Sequence, residues 1–139
     1  MTRYLLDTNV LIWFLENNTR LPDDIRVDIE YMQYEYYVSA LSLIEIDNLQ
    51  KLGKIKLKYG LMDIVKQLQK SSVGIYFVEE KELEVLERLE MKTIDKKSHG
   101  DYVDRMIIAT AIAYRHTCIS SDKKFRRYRE NGLSLIEVD

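Results

Sequence analysis

Tyr4-Leu5-Leu6-Asp7-Thr8-Asn9-Val10-Leu11-Ile12-Trp13 runs from a short β-rich stretch, through an acid and a polar pair, into an apolar pattern of helical period. Residues 3–6 read as a strand, Asp7 stands just past its end, and 10–15 read as a short helix. The same succession recurs along the chain. Residues 36–39, 75–78, 117–120 and 134–138 read as further strands. Helical patterns lie between them at 23–34, at 41–52 stopping before Gly53, at 60–71, at 81–89 and at 101–114, and a last helix begins near Asp122. The helix at 101–114 is the most apolar, with Met106, Ile107, Ile108, Ala109, Ala111, Ile112 and Ala113, and is expected to pack on the sheet over most of its surface. Strands alternating with helices predict an α/β fold: a three-layer α/β/α domain around a mainly parallel sheet of about five strands. In that architecture ligands gather beyond the carboxyl ends of the strands.

The 139 residues hold one proline, five glycines and no Ser/Gly-rich tract, so the expectation is a single domain spanning 1–139 without a linker. Cys118 is the only cysteine, which excludes an internal disulfide and a disulfide-stapled secreted scaffold. No apolar run approaches the ~20 residues of a membrane span, and Asp7 interrupts the N-terminal apolar stretch too early for a signal peptide. These features predict a cytoplasmic protein with no membrane partner. The net charge of -2 excludes a uniformly basic nucleic-acid binder, but the charge is uneven. Residues 79–90 sum to -4 and residues 115–129 to +5; the plain reading of either run is a solvated helix face, and the basic one could attract polyanions.

Carboxylates stand at the positions where this fold gathers ligands. Asp7 follows the first strand. Glu45 lies one turn into the helix after the second. Asp101 and Asp104 open the apolar helix with i, i+3 spacing, and Asp122 follows the fourth strand. Each has an ordinary explanation as a helix cap, and Ser42-x-x-Glu45 fits the capping-box formula. Capping does not explain why acids from three strand–helix junctions and one helix start should point to the same edge. Carboxylates gathered in one cleft repel one another unless cations neutralise them. An oxygen-only ligand set without His or Cys selects Mg²⁺ or Mn²⁺ over zinc.

A hydrophobic strand ends in Asp7-Thr8-Asn9, and a Val-Ser-x-x-Ser-x-x-Glu-Ile stretch at 38–46 is followed by Leu52-Gly53-Lys54. His-x-Asp-x-x-Asp-Arg-x-x-Ile-Ala stands at 99–109 and Ser-x-Asp-x-x-Phe at 120–125. In these motifs, their order and their spacing the chain resembles the PIN domain, in particular the VapC-type toxins of toxin–antitoxin pairs. The likeness covers essentially the whole chain. The resemblance implies a Mg²⁺- or Mn²⁺-dependent endoribonuclease with Asp7, Glu45, Asp104 and Asp122 as metal-binding catalytic acids and Asp101 as an outer or alternative ligand. Thr8, Asn9 and Ser120 would orient the site. A small antitoxin, a homodimer and RNA are the partners it implies. The sequence departs from the common pattern at Tyr102-Val103, where Pro-Phe is frequent, at Ser120, where threonine is usual, and at Leu49, where lysine often stands.

Lys123, Lys124, Arg126 and Arg127 follow Asp122 directly, where cations could hold phosphates flanking a cut site, while Tyr128 or Phe125 could stack a base. Burial preference favours Phe125 as core. Trp13, with Val10 and Phe14, has the spacing of a packed helix face, and Cys118 lies in an apolar strand. His99 and His116 are too few for a catalytic pair, and His99 suits a cap near the helix start. A phosphatase of the haloacid dehalogenase type also begins with an aspartate after its first strand, but needs a second acid where this chain has Asn9. A phosphoreceiver domain expects paired acids after that strand and a lysine after the last. The non-enzymatic alternative is an acidic-cleft interaction module whose carboxylates are caps, and a nuclease with a housekeeping role in RNA processing is the alternative to a toxin.

Overall fold

A computed structural model describes residues 2–31, 34–90 and 101–139, and the backbone alone at 93–94 and 97–98. Five strands, β1 (Arg3–Leu6), β2 (Glu35–Ser39), β3 (Gly74–Tyr76), β6 (Thr117–Ser120) and β7 (Ser134–Glu137), form one sheet in the order β3-β2-β1-β6-β7. Every pairing in it is parallel. The connecting helices are α1 (Thr8–Glu16), α2 (Asp23–Glu30), α3 (Ala40–Lys51), α4 (Leu61–Lys70), α5 (Glu80–Arg88) and α6 (Tyr102–Tyr114), with a 3₁₀ helix at Lys123–Asn131 between the last two strands.

Neighbouring residues of each strand serve opposite faces of the sheet. Leu6, Tyr36, Val38 and Ile119 pack with Val10, Leu11, Ile29, Ile46, Ile64 and Leu68, burying the apolar sides of α1 to α4. Leu5 and Cys118, one residue earlier in β1 and β6, pack with Val103, Ile107, Ile108, Ala111, Phe125 and Tyr128 from α6 and the 3₁₀ helix. Two cores on two faces are the expected three layers. Trp13 belongs to the first core, and Cys118 is wholly buried in the second. At Gly74 the Tyr37 ring lies where a side chain would stand: a Cβ there would sit 2.5 Å from it, so only glycine lets this edge pairing close.

The order of strands also fixes where a ligand can enter. From β1 the chain steps to β2 and β3 on one side, then crosses to β6 and β7 on the other. The direction of winding therefore reverses between β1 and β6, and the crevice beyond their carboxyl ends is the switch point of the sheet. Asp7 and Ser120–Asp122 stand at its two lips.

Several expectations are corrected. Helix α2 ends at Glu30 rather than at residue 34, so Tyr34 meets Tyr4 edge-on, ring centroids 5.9 Å apart, at the approach to β2. Two short strands, β4 (Thr93–Ile94) and β5 (Lys97–Ser98), pair antiparallel ahead of α6, where the sequence shows no strand. His99, expected as a cap near the helix start, lies outside the described residues. The final helix is 3₁₀ in form, and its three-residue turn brings Phe125 and Tyr128 onto one side, both fully buried. Neither ring is available to stack a base. Replacing Phe125 by alanine is expected to cost about 3–5 kcal/mol in urea unfolding; an unchanged midpoint would place the ring outside the core.

Candidate metal centre

Asp7 is 3% exposed and caps α1, its Oδ1 accepting from the Val10 N–H at 2.8 Å. Its Oδ2 accepts from the Ser120 hydroxyl at 2.5 Å and from the Ser121 N–H at 3.2 Å. Ser120 Oγ in turn accepts from the Asp122 N–H at 3.0 Å. One hydroxyl thus joins the carboxylate after β1 to the backbone N–H of the acid after β6.

Thr8 is buried in the first turn of α1, and its hydroxyl donates to Ser42 Oγ at 2.9 Å, tying α1 to α3. The expected Ser42–Glu45 capping box is not formed. Ser39 is the N-cap of α3, accepting from the Leu41 N–H at 3.1 Å, so Ser42 lies inside the helix and is spent on Thr8. Glu45 is therefore released from any capping duty and lines the crevice, its carboxyl pushed up by burial and by Asp101 while the Thr8 hydroxyl opposes that shift. Asn9 is exposed and lines the same crevice, without a hydrogen bond to the acids among the described residues.

Asp101 caps α6, its Oδ1 accepting from the N–H groups of Val103 at 2.9 Å and Asp104 at 3.1 Å. Asp122 caps the 3₁₀ helix through Lys124 N–H at 2.9 Å. Asp7, Glu45, Asp101, Asp104 and Asp122 together line one cavity of about 190 Å³, with Thr8, Asn9 and Leu49. Three of the five are caps, as the ordinary reading requires, yet capping leaves the charge unbalanced. Burial pushes the Asp104 carboxyl up to about 8, helped by the charges of Asp101, Asp122, Asp7 and Glu45. Burial pushes Asp7 up to about 6 against the three hydrogen bonds that favour its charged form. Among the described residues no three His, Cys, Asp or Glu side chains are drawn together as a ready-made chelate. The carboxylates face one cavity without closing on it, as groups of like charge do. The donor set still fits a hard divalent cation: all oxygen, from rigid strand ends and helix starts, with an excess of negative charge that such an ion would remove.

The basic run divides. Arg126 is committed to Glu137, with Nη2 2.8 Å from Oε1, and Arg129 reaches the same carboxylate at 3.4 Å. Lys124 lies 3.9 Å from Asp122. Lys123 and Arg127 are exposed and make no ion pair among the described residues. The acidic run is also not wholly solvated: Glu82 is buried, with its two oxygens 3.0 Å from the Thr110 and Tyr114 hydroxyls, which pins α5 to α6. His116, set aside in the sequence as one of too few histidines for a catalytic pair, is buried with Nε2 2.6 Å from the Tyr76 hydroxyl, beside the stacked rings of Tyr37, Tyr76 and Tyr114. Burial holds its pKa below the usual histidine range.

The carboxyl shifts fix a pH dependence. A carboxyl whose folded pKa lies above its unfolded value favours folding when protonated, so the stability it confers is lost as pH rises from about 4 to the folded value. Asp7 acts up to about 6 and Asp104 up to about 8. The buried His116 works in the opposite sense but only below its ordinary value near 6.5. In EDTA the thermal midpoint should therefore fall between about pH 6.5 and 8, and the fall should flatten in Asp104→Asn. Parallel profiles for the two proteins would place the Asp104 charge in solvent.

The PIN domain family model matches residues 4–131. No curated protein sequence matches the chain. Among solved structures, a chain of VapBC2 from Rickettsia felis bound to a promoter DNA fragment superposes with a TM-score of 0.68 at 18% identity, covering 99% of this chain and 100% of that one. FitAcB from Neisseria gonorrhoeae gives 0.57 at 19% identity, covering 96% of each chain. A toxin–antitoxin complex from Klebsiella pneumoniae gives 0.53 at 16%, covering 87% of this chain and 88% of that one. At these identities the likeness to the solved structures is one of fold. The family match spans nearly the whole chain, from the first strand through the 3₁₀ helix, and the chain belongs to the PIN domain family.

Proposed function

We propose that the chain is a Mg²⁺- or Mn²⁺-dependent endoribonuclease and the toxin of a toxin–antitoxin pair. The observation that carries the first part is the convergence of Asp7, Glu45, Asp104 and Asp122 on one cavity at the switch point of the sheet, with Asp101 at its rim. These four acids would hold the ion, and Asp101 would lend its charge while capping α6. A bound Mg²⁺ or Mn²⁺ there supplies an acidified water and neutralises charge on a phosphodiester. The protein's own part is orientation. Ser120 and the Val10 and Ser121 N–H groups keep Asp7 in one rotamer, and Thr8 and Ser42 keep α3 at the distance from which Glu45 reaches the cavity. Lys123 and Arg127, with Lys124 and Arg126 beside them, would hold phosphates flanking the cut. RNA as substrate follows from the resemblance to VapC-type proteins.

The test of the metal-dependent nuclease is Asp104→Asn. Cleavage of single-stranded RNA in Mn²⁺ should fall by orders of magnitude and be abolished in wild type by EDTA, while the metal-free thermal midpoint at pH 8 holds or rises because a repelled charge is gone. Loss of stability with activity retained would return Asp104 to a structural role.

The toxin reading is supported by the toxin–antitoxin complexes among the structural neighbours and by apolar surface on the early helices. Val27, Tyr31 and Met62 are exposed, and a groove of about 290 Å³ is lined by Phe14, Leu15 and Tyr59 together with the polar Asn17, Arg26, Glu30 and Gln67. An amphipathic antitoxin segment would lie there, and an arginine from it could occupy the acid cavity, a fork of N–H donors meeting carboxylates. A homodimer belongs to the same reading. Expression of the gene alone should arrest growth and co-expression with its genomic neighbour should relieve it; harmless expression of an active nuclease would favour a housekeeping role in RNA processing.

A further inference from the structure

A second and larger cavity, of about 660 Å³, adjoins the acid cavity, and Glu45 and Asp101 line both. It lies between the outer face of α3 and the first turn of α6. Its apolar lining includes Ile44, 60% exposed, and Tyr102, 75% exposed. Each stands next in sequence to an acid of the shared wall: Ile44 precedes Glu45, and Tyr102 follows Asp101. A ring so exposed adds little to the core, and α6 is already anchored by Val103, Met106 and Ile107, which are buried.

We propose that this pocket holds an unpaired base of the polynucleotide whose phosphodiester lies at the acids, stacked on Tyr102 with Ile44 against its edge. The charge of the lining selects this occupant. Among the described residues of the lining, Glu45, Asp47 and Asp101 outnumber Lys51, whose ammonium lies 2.9 Å from Asp47, so this wall repels a phosphate and tolerates a neutral base. The volume falls in the range of small-molecule sites, and base–aromatic stacking supplies grip where cations are outnumbered. Asn48, exposed on the same lining, offers both a donor and an acceptor to a base edge, which gives the pocket a means of choosing among bases. The inference rests on the endonuclease reading and adds to it the place where the nucleotide beside the cut is held. Tyr102 is then a binding residue that acts on the substrate and not on the ion.

The experiment compares wild type, Tyr102→Ala, Tyr102→Phe and Tyr102→Trp on a single-stranded RNA oligonucleotide that the wild type cuts once, and on copies with an abasic site at each position flanking the cut. Tyr102→Ala should raise KM roughly tenfold with kcat unchanged. Tyr102→Phe and Tyr102→Trp should stay near wild type, and Mn²⁺ affinity measured by calorimetry without RNA should be the same in all four. One abasic copy should impose the same loss on wild type and no further loss on Tyr102→Ala. An active wild type with an indifferent Tyr102→Ala overturns the base pocket alone. A Tyr102→Ala whose loss tracks a lower dimer fraction in sedimentation velocity overturns it in favour of a contact between copies of the chain. A wild type inert on RNA overturns the nuclease reading, and the pocket with it.

Discussion

The Asp7 carboxylate is the point at which the three elements around the switch point are joined. Its Oδ1 holds the first turn of α1, and its Oδ2 takes the hydroxyl and the N–H that end β6. Because β1 is the central strand, this one group sets how far the α1 start stands from the β6 exit, and therefore the width of the crevice. The backbone supports the same junction: the Asp7 N–H donates to Ile119 at 3.0 Å and the Val138 N–H to Ser120 at 2.9 Å, so the end of β6 is held from both sides. A buried carboxylate with three donors would ordinarily be strongly acidic. Here desolvation outweighs the donors and its pKa moves up instead. Burial is the main cause of that shift, and the neighbouring Asp122 charge adds to it.

The cost of the arrangement falls on stability. Asp104 sits among four other acids, and each adds to the work of ionising it. A fold selected for stability alone would place neutral caps at these helix starts, since asparagine or serine accepts the same backbone N–H bonds. Asp7, Asp101 and Asp122 each perform a capping task that a neutral residue could perform. Ser39 provides the cap of α3, so Glu45 stands outside it and meets the Thr8 hydroxyl instead. The cavity therefore gathers more negative charge than capping needs.

The layer architecture and the position of the acids were legible because both follow from patterns with a long reach. Apolar runs of strand length end in Asp7 and Ser120-Ser121-Asp122, and the helix of α6 carries its apolar residues on nearly every turn. What escaped was local. The choice between Ser39 and Ser42 as the cap depends on where β2 lets go of its neighbours, a matter of pairing with β1 and β3 and not of the four-residue formula that both serines approach. The β4–β5 pair consists of two-residue strands, too short for any alternation to register. The aromatic residues of the basic run were ambiguous for a physical reason. Phe125 and Tyr128 are three apart, a spacing that shares one face in a 3₁₀ turn and in an α-helix alike, so it shows that the rings go together and not whether their face meets the core or the solvent. Glu82, read as part of a solvated run, is buried because Thr110 and Tyr114 reach it from α6, pairings across 28 and 32 residues that no local window contains.

The same contrast between near and distant partners governs the charges that would meet a polyanion. Read along the chain, residues 115–129 are a basic block. In the fold, Glu137 at the end of β7 draws Arg126 and Arg129 onto itself and turns part of that block into a brace between the 3₁₀ helix and the sheet edge. The cations left to act at a distance are those on the solvent side of the 3₁₀ helix, and the acids they flank are of opposite sign. A polyanion reaching the crevice would thus be drawn by one wall and repelled by the next. Such a field orients more than it binds. Affinity must then come from contacts indifferent to charge, and the exposed aromatic and aliphatic side chains at the start of α6 and on the outer face of α3 are where the crevice offers them.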